Sequence, residues 1–420
     1  MLSLAVFLPI VCGLLLLLLG RRVSHRARQV LVETVTVVTS LLVLFCLLNR
    51  RGTAYTPFFL LQNLPIRFAI DGVGSVFTAI VAFLWPLAAL YGFEYMEHEG
   101  GENHFFALYT VTYGVTLGIS TAANILTLYF FYEFLTLCTL PLVMHGTQKP
   151  SEHAGYTYML YSFFGAALAF IGVMLVLNYG DGGAFTMGGV MAQAAAEHPT
   201  MVQLGYLCAF LGFGVKAAIF PFHGWLPDAS VAPTPVSALL HAVAVVKAGA
   251  FAIVRLIYFG FGADFLRGTW AQNVVMAATI VTIVYGSARA LRTPHLKRRL
   301  AFSTVSNLSY ILFALTLMTP AGLLGGLTHM VYHAFVKITM FCCAGAIIHK
   351  SGREYVYELE DCGRVMPVTF ATFTISSFAL IGLPPLGGFA GKWMIAEGAV
   401  ASGNPMAYVG IGALILSTLL

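Results

Sequence analysis

The sequence predicts an all-α polytopic membrane protein with about 13–14 transmembrane helices. Three observations lead to this prediction. Of the 420 residues, 59% are hydrophobic and 9% are charged, whereas soluble domains carry about 25% charged residues. The mean hydropathy is +0.85. Apolar, charge-poor stretches long enough to cross a bilayer recur along the whole chain.

Prolines interrupt the helix at two of the predicted spans. Pro221 directly follows the seventh span, and the twelfth contains Pro384 and Pro385. Proline cannot donate to the helix hydrogen-bond ladder, and the carbonyl that it frees is tolerated at membrane depth only inside protein or beside water. In chain order the predicted spans are 2–19, 30–48, 73–93, 105–122, 125–144, 156–178, 202–220, 236–260, 273–290, 300–318, 322–348, 367–396 and 406–420.

The positions of the two breaks predict two five-helix repeats, each with an interrupted third helix. Because five is odd, two consecutive units must be inverted relative to each other, as in inverted-repeat transporters. The last span is short and has no polar flank, so the sequence predicts truncation before a final helix. The expected divisions are helices 1–3 in residues 1–104, a first repeat in 105–260 and a second, truncated repeat in 273–420.

Basic residues predict the orientation of the chain. Arginines at 21–28 follow the first apolar run, and further basic residues lie at 289–299. The positive-inside rule places both segments inside, which puts the N-terminus outside. A basic cluster that follows the apolar run also argues against a secretory signal peptide. These loops explain the net charge of +5, so no nucleic-acid partner is expected.

Ionisable residues are few inside the spans, and each is a candidate functional group because a charge in hydrocarbon is costly. Lysine suits a proton relay because burial stabilises its neutral form, so that it can release its proton. Lys216 lies beside the break at Pro221, and discontinuous helices form ion sites in transporters. The candidate relay residues are Glu133, Lys216, His241, Lys247, His329, His333, Lys337 and Lys392.

Coulomb energies indicate that such a relay needs several coupled charges. A Glu–Lys pair about 7 Å apart at an effective dielectric constant of about 20 interacts by about 2.4 kcal/mol. Moving a proton against about 150 mV requires about 3.5 kcal/mol. A pair such as Glu133 and Lys216 is therefore too weak to drive pumping alone. His329, His333 and Lys337 add three groups on one helix face, since they are spaced i, i+4, i+8.

Each candidate also has a structural alternative. Glu133 is compatible with a purely structural ion pair, and the spacing of His329 and His333 is compatible with a metal site or with structural hydrogen bonds. For Arg255, near a span end, we expect the side chain to reach the membrane interface. The seven cysteines form no C-x-x-C pair and no nucleotide-binding motif is present, so neither a cofactor nor a metal is expected.

Four segments resemble the signature of the antiporter-like subunits shared by respiratory complex I, membrane-bound hydrogenases and Mrp-type cation/proton antiporters. The resemblance extends over most of residues 70–400 and implies a fold of fourteen helices with two inverted five-helix bundles. It also implies the plasma (inner) membrane of a prokaryotic cell. The segments are Lys216 to Gly249, Leu296-Lys-Arg-Arg-Leu-Ala-Phe-Ser-Thr-Val-Ser306, His329 to Lys337, and Pro384 to Lys392.

The resemblance implies a role for each candidate. Glu133 would be the fifth-helix glutamate that couples to a neighbouring subunit, with Lys216 as its partner. Lys247, with His241 nearby, would be the central relay, and Lys392 the terminal group, where some family members carry glutamate. His329, His333 and Lys337 would line the connection between them.

Several functions follow as expectations. The first is a proton-translocating subunit of a redox-driven complex whose electron chemistry lies in other chains. The second is a subunit of an Mrp-type Na⁺/H⁺ antiporter without redox chemistry. An independent solute carrier fits poorly, because the titratable groups form a line and not a compact cluster, and an inert scaffold gains nothing from buried lysines. The expected partners are other membrane subunits, including related antiporter-like ones, together with lipid, protons and, as an open alternative, Na⁺.

Overall fold

The computed structural model of the protein describes residues 1–49, 52–61, 64–145, 149–180 and 183–420. All of the predicted spans fall on helices, which confirms the all-α membrane fold class. Eight helices of the described residues are long and apolar enough to cross a membrane, the central segment Thr234–Phe261 among them. That segment is buried along its apolar window and forms the centre of the bundle.

The first half of the chain contains two strands and the helices before the central segment. The elements are α1 (Leu2–Leu19), α2 (His25–Asn49), β1 (Tyr55–Leu61), β2 (Leu64–Phe68), α3 (Gly72–Glu99), α4 (Glu102–Ser120), α5 (Ile125–Val143), α6 (Lys149–Tyr179), α7 (Ala192–Glu197), α8 (Pro199–Lys216) and α9 (Trp225–Asp228).

The second half is helical throughout. Its elements are α10 (Thr234–Ala242), α11 (Val245–Arg255), a π-helical turn (Leu256–Phe261), α12 (Ala263–Leu266), α13 (Trp270–Arg292), α14 (Leu296–Thr316), α15 (Pro320–Ser351), α16 (Cys362–Val365), α17 (Pro367–Ile381), α18 (Gly387–Ser402) and α19 (Pro405–Leu419).

An antiparallel hairpin of strands β1 and β2 was not expected from the sequence. It lies against the junction between helices α4 and α5. The main-chain N–H of Ala123 donates to the carbonyl of Arg67, and the Asn124 side chain donates to the carbonyl of Pro65 at 2.8 Å. Asn124 also caps helix α5 by accepting from the N–H of Thr127. The hairpin therefore fixes the end of the bundle from which α5 begins.

Both predicted helix breaks are present. Helix α8 ends at Lys216 and the chain resumes as helix α9 at Trp225, so that Pro221 lies between the two halves. Helix α17 ends at Ile381 and α18 begins at Gly387, with Pro384 and Pro385 between them. The relation of the two five-helix units to each other stays a prediction.

A third break lies in the central segment and has no proline. Helix α10 ends at Ala242 and α11 begins at Val245. The N–H groups of Val243 and Ala244 both donate to the carbonyl of Leu239, so that one extra residue is accommodated as in a π-bulge. Such bulges are frequent at functional sites. This one places Lys247 in the first turn of helix α11.

Candidate functional site

Lys216 is the last residue of helix α8 and is buried, with 1% of its surface exposed. Its Nζ donates to the main-chain carbonyl of Tyr132 on helix α5 and lies 3.4 Å from the centroid of the Tyr132 ring. The carbonyl and the ring face together stabilise a positive charge at this position. Helix α5 therefore holds the Lys216 amine at the break.

Glu133 follows Tyr132 on helix α5 and is half-buried. Its Oε1 is buried and has no hydrogen-bond partner in the described part of the chain. The Lys216 ammonium contacts the main chain one residue away from this carboxyl. The two predicted partners are thus neighbours with an unsatisfied oxygen beside them, a site where a water molecule can bind and carry a proton.

Lys247 and His333 form the central contact of the site. The Lys247 Nζ and the His333 Nδ1 are hydrogen-bonded, which joins helix α11 to helix α15. Both side chains are buried, at 0% and 1% exposed. An ammonium only donates, whereas a neutral amine can accept, so the two nitrogens can exchange a proton. The His333 Nε2 is buried without a partner among the described residues, and once Nδ1 has accepted a proton it is the nitrogen that can donate one onward.

A chain of rings leads from His333 towards helix α18. The His329 and His333 ring centroids are 6.2 Å apart, and the His329 Nε2 lies 3.2 Å from the Asn307 Oδ1. The Tyr310 ring lies 5.4 Å from the His329 ring, and the Lys392 Nζ lies 5.1 Å from the Tyr310 centroid. The predicted face formed by His329 and His333 is therefore continuous with Lys392.

Lys392 lies at the second predicted break. Its Nζ donates to the carbonyl of Ile381 at 2.8 Å, the last residue of helix α17, and to the Thr418 Oγ1 at 3.0 Å. The carbonyl end of a helix carries a partial negative charge, which stabilises an ammonium. Both breaks thus hold a lysine in contact with main-chain carbonyls.

Lys337 and His241 lie beside this line. The Lys337 Nζ donates to the Leu300 carbonyl at 3.1 Å and to the Ser303 Oγ at 2.9 Å, so it faces helix α14. His241 stacks on Phe341 with ring centroids 4.6 Å apart, and both of its ring nitrogens are buried without partners in the segments that the structure describes. Buried polar atoms of this kind require water or a proton donor.

Lys297 was missed as a site residue, because the sequence places it in a basic loop. It is 8% exposed on helix α14, and its Nζ donates to the Ala232 carbonyl at 3.0 Å, just before helix α10. The available signal is helical spacing, since Lys297 shares its helix face with the buried Leu300 and Ala301.

Arg255 contradicts the expectation that it reaches the membrane interface. It is 1% exposed and makes a bidentate ion pair with Asp71, whose Oδ1 also accepts from the Gly74 N–H at 2.7 Å. A carboxylate at the start of another helix pairs with the charge of the guanidinium, so the side chain need not reach the interface. Three rings also surround it, those of Phe185, Phe251 and Phe259.

Close packing joins the central helix to the first break. A Cβ atom added to Gly249 on helix α11 would lie 2.7 Å from the Ala217 nitrogen and 3.0 Å from the Lys216 carbonyl carbon. Only glycine permits this approach. The Lys216 and Lys247 segments are thus in direct main-chain contact.

No group of three or more potential metal ligands occurs within the described residues. His333 contacts Lys247 and His329 contacts Asn307, so this histidine pair faces hydrogen-bonding partners. The geometry is that of a line of titratable groups through a helical bundle with two lysine-bearing breaks.

Residues 122–419 match the family described as NADH:quinone oxidoreductase/Mrp antiporter, transmembrane. The chain belongs to this family. It is a multi-pass membrane protein, and the resemblance seen in the motifs at 216–249 and 384–392 is confirmed.

Curated relatives include proteins named as antiporter components and others named as oxidoreductase components. The chain is 33% identical over 336 residues to a probable K(+)/H(+) antiporter component of Rhizobium meliloti, covering 79% of this chain and 32% of that protein. It is 32% identical to an Na(+)/H(+) antiporter component of Alkalihalophilus pseudofirmus, covering 79% and 43%. It is 30% identical to an NADH-quinone oxidoreductase component of Desulforudis audaxviator, covering 84% and 70%. The chain therefore spans less than half the length of the two antiporter relatives.

Solved structures share the fold across 99% of this chain at 24% identity. A chain of the membrane-bound sulfane sulfur reductase, an archaeal respiratory complex, gives a TM-score of 0.87 and is covered over 85% of its length. A chain of the Mrp complex of a Dietzia species gives 0.86 with 45% covered. A chain of respiratory complex I from Thermus thermophilus gives 0.82 with 86% covered.

Proposed function

We propose that the chain is a proton-translocating, antiporter-like subunit of a multi-subunit, redox-driven membrane complex. The observation that supports this most strongly is the buried hydrogen bond between Lys247 and His333, at a bulge in the central helix. It lies on a line whose two other lysines, Lys216 and Lys392, are each held at a helix break by main-chain carbonyls. A scaffold has no use for such costly groups.

The proposed mechanism is a sequence of charge changes. When the charge of a neighbouring protein in the complex changes, the electrostatic balance between Glu133 and Lys216 changes with it. Lys216 then passes a proton towards Lys247 or repels the one held there. Lys247 exchanges this proton with His333. The proton then moves past His329 and Tyr310 to Lys392, from which it is released. No single pair supplies enough energy, so several coupled lysines are required.

Replacing Lys216 with alanine tests the mechanism. We expect coupled proton transport to fall by about 5–150-fold, the range of one coupling free energy between sites, because the charge that repels the proton at Lys247 is lost. The measurement is proton uptake by liposomes that contain the intact complex, followed with a pH-sensitive dye. Lys350→Ala is the matched control, since Lys350 is exposed at the end of helix α15. Wild-type transport in a fully assembled Lys216→Ala complex would rule the mechanism out.

An Mrp-type antiporter subunit is the second candidate, and the curated relatives at 33% and 32% identity favour it. Purification with a tag on this chain separates the two. We expect stoichiometric iron–sulfur clusters, flavin or nickel in co-purifying subunits, because a redox-driven pump needs electron carriers that this sequence does not supply. A cofactor-free assembly of small membrane proteins, active in exchanging Na⁺ for protons, would instead establish the antiporter.

A further inference from the structure

A polar cavity of about 430 Å³ lies where helix α9 meets the connection between helices α13 and α14. The residues that line it include His223, Asp228, Tyr285, Arg289, Arg292 and Arg298. None of them belongs to the lysine–histidine line. The cavity is at one end of the bundle, since Arg289 and Arg292 occupy the last turn of the span Trp270–Arg292.

The cavity carries excess positive charge. Arg298 pairs with Asp228 at 2.6 Å, so one guanidinium is neutralised. Arg289 stacks over the Phe302 ring at 5.2 Å, and neither its guanidinium nor that of Arg292 has an ion pair or hydrogen bond within the part of the chain that the structure describes. Three arginines against one aspartate leave a net charge of +2. Two guanidiniums are thus free to bind an anion.

His223 adds an unsatisfied polar group to the same wall. It is 8% exposed, and its ring packs edge-on against Tyr285 with centroids 4.6 Å apart. Its Nδ1 is buried and has no hydrogen-bond partner among the described residues. Buried ring nitrogens are ordinarily hydrogen-bonded, so an unpartnered one in a cationic cavity indicates a missing ligand or water.

We propose that this cavity binds a phosphate group of net negative charge, from an anionic phospholipid headgroup or from free phosphate. Guanidinium groups bind phosphate oxygens in bidentate fashion, and two unpaired ones are available here. Basic pockets between transmembrane helices are sites for anionic headgroups, and Arg292 is the last residue of the candidate membrane span Trp270–Arg292.

An occupied site also ties the first helix break to the rest of the bundle. His223 and Asp228 belong to the segment just after Pro221, whereas Arg289 and Arg292 belong to helix α13. A phosphate between them links these two elements by charged hydrogen bonds. This inference is independent of the proposed proton transport, since no relay residue lines the cavity.

Titration of the purified chain in neutral detergent tests the proposal. The probes are dihexanoyl-phosphatidylglycerol, zwitterionic dihexanoyl-phosphatidylcholine and sodium phosphate, and the readouts are the thermal unfolding midpoint and a Kd from tryptophan fluorescence. We expect a saturable rise in the midpoint with phosphatidylglycerol or phosphate and none with phosphatidylcholine. Tighter binding of phosphatidylglycerol than of phosphate identifies the lipid as the source, and equal binding identifies free phosphate.

The double variant Arg289→Gln/Arg292→Gln is expected to raise the Kd by about 25-fold, because each basic residue contributes about fivefold. Arg364→Gln is the matched control, since its side chain is 89% exposed on helix α16. If the double variant fails to fold, Arg289→Lys/Arg292→Lys keeps the charge, and a several-fold weaker affinity is then expected from the loss of bidentate contacts. An unchanged Kd in a folded variant, or an equal response to phosphatidylcholine, would overturn the proposal.

Discussion

Lys247→Met is expected to lower coupled proton transport by about 10²–10⁴-fold, the range that one positioned proton-transfer group contributes. Lys247 is fully buried and its Nζ is hydrogen-bonded to the His333 Nδ1. Methionine fills a similar volume but neither accepts nor releases a proton. The measurement is proton uptake into liposomes that contain the assembled complex, with complex stability followed in parallel.

Lys247→Arg separates a relay from a structural charge. Arginine keeps the positive charge but stays protonated at all relevant pH values. A structural role would therefore be rescued by arginine, whereas a relay would not. We expect both Lys247 variants to be inactive and the exposed Lys350→Met control to be fully active. Wild-type transport in either folded Lys247 variant contradicts the relay.

The sequence predicts the helices and the two proline breaks because hydropathy reports which segments lie in the membrane. The lysines at those breaks are found for the same reason, since a charge in an apolar run is conspicuous. Hydropathy does not report which helix faces which. The contact between Lys247 and His333 joins residues 86 positions apart, so it could be seen only in the fold.

The bulge, the hairpin and the position of Arg255 were not predicted, because each depends on contacts that hydropathy does not report. The bulge at Val243 and Ala244 arises from hydrogen bonding to Leu239, in an alanine- and valine-rich run without proline or glycine. The hairpin is stabilised by its contact with the start of helix α5. Arg255 was expected at the membrane interface because it lies near the end of a span. Its partner Asp71 is 184 positions earlier in the chain, so their contact could not be inferred from the sequence.

The ion pair between Arg255 and Asp71 is expected to make a large contribution to the free energy of unfolding. Burial alone raises the pKa of the Asp71 carboxyl, but the hydrogen bonds and charge of Arg255 outweigh it, so that this pKa lies below its usual range. Asp71 therefore stays ionised at neutral pH. Removing it leaves a guanidinium buried among three phenylalanine rings with no counter-charge.

Asp71→Asn is expected to lower the free energy of unfolding by about 3–5 kcal/mol, the cost of leaving one buried charge unpaired. Asparagine is as good a helix N-cap as aspartate, so the bond to the Gly74 N–H is kept and only the charge is lost. The measurement is unfolding in mixed micelles titrated with sodium dodecyl sulfate. Asp264→Asn is the matched control, because Asp264 pairs with Arg267 on the surface and is 89% exposed.

The double variant Asp71→Asn/Arg255→Met distinguishes pairing from packing. Replacing both partners removes the buried charge, so most of the lost stability is expected to return. Arg255→Met alone should cost less than Asp71→Asn, because the Asp71 side chain is 37% exposed and can still be hydrated. The opposite order, or an Asp71→Asn cost within about 1 kcal/mol of the surface control, would show that Arg255 holds the end of the central helix by its apolar contacts and not by its charge.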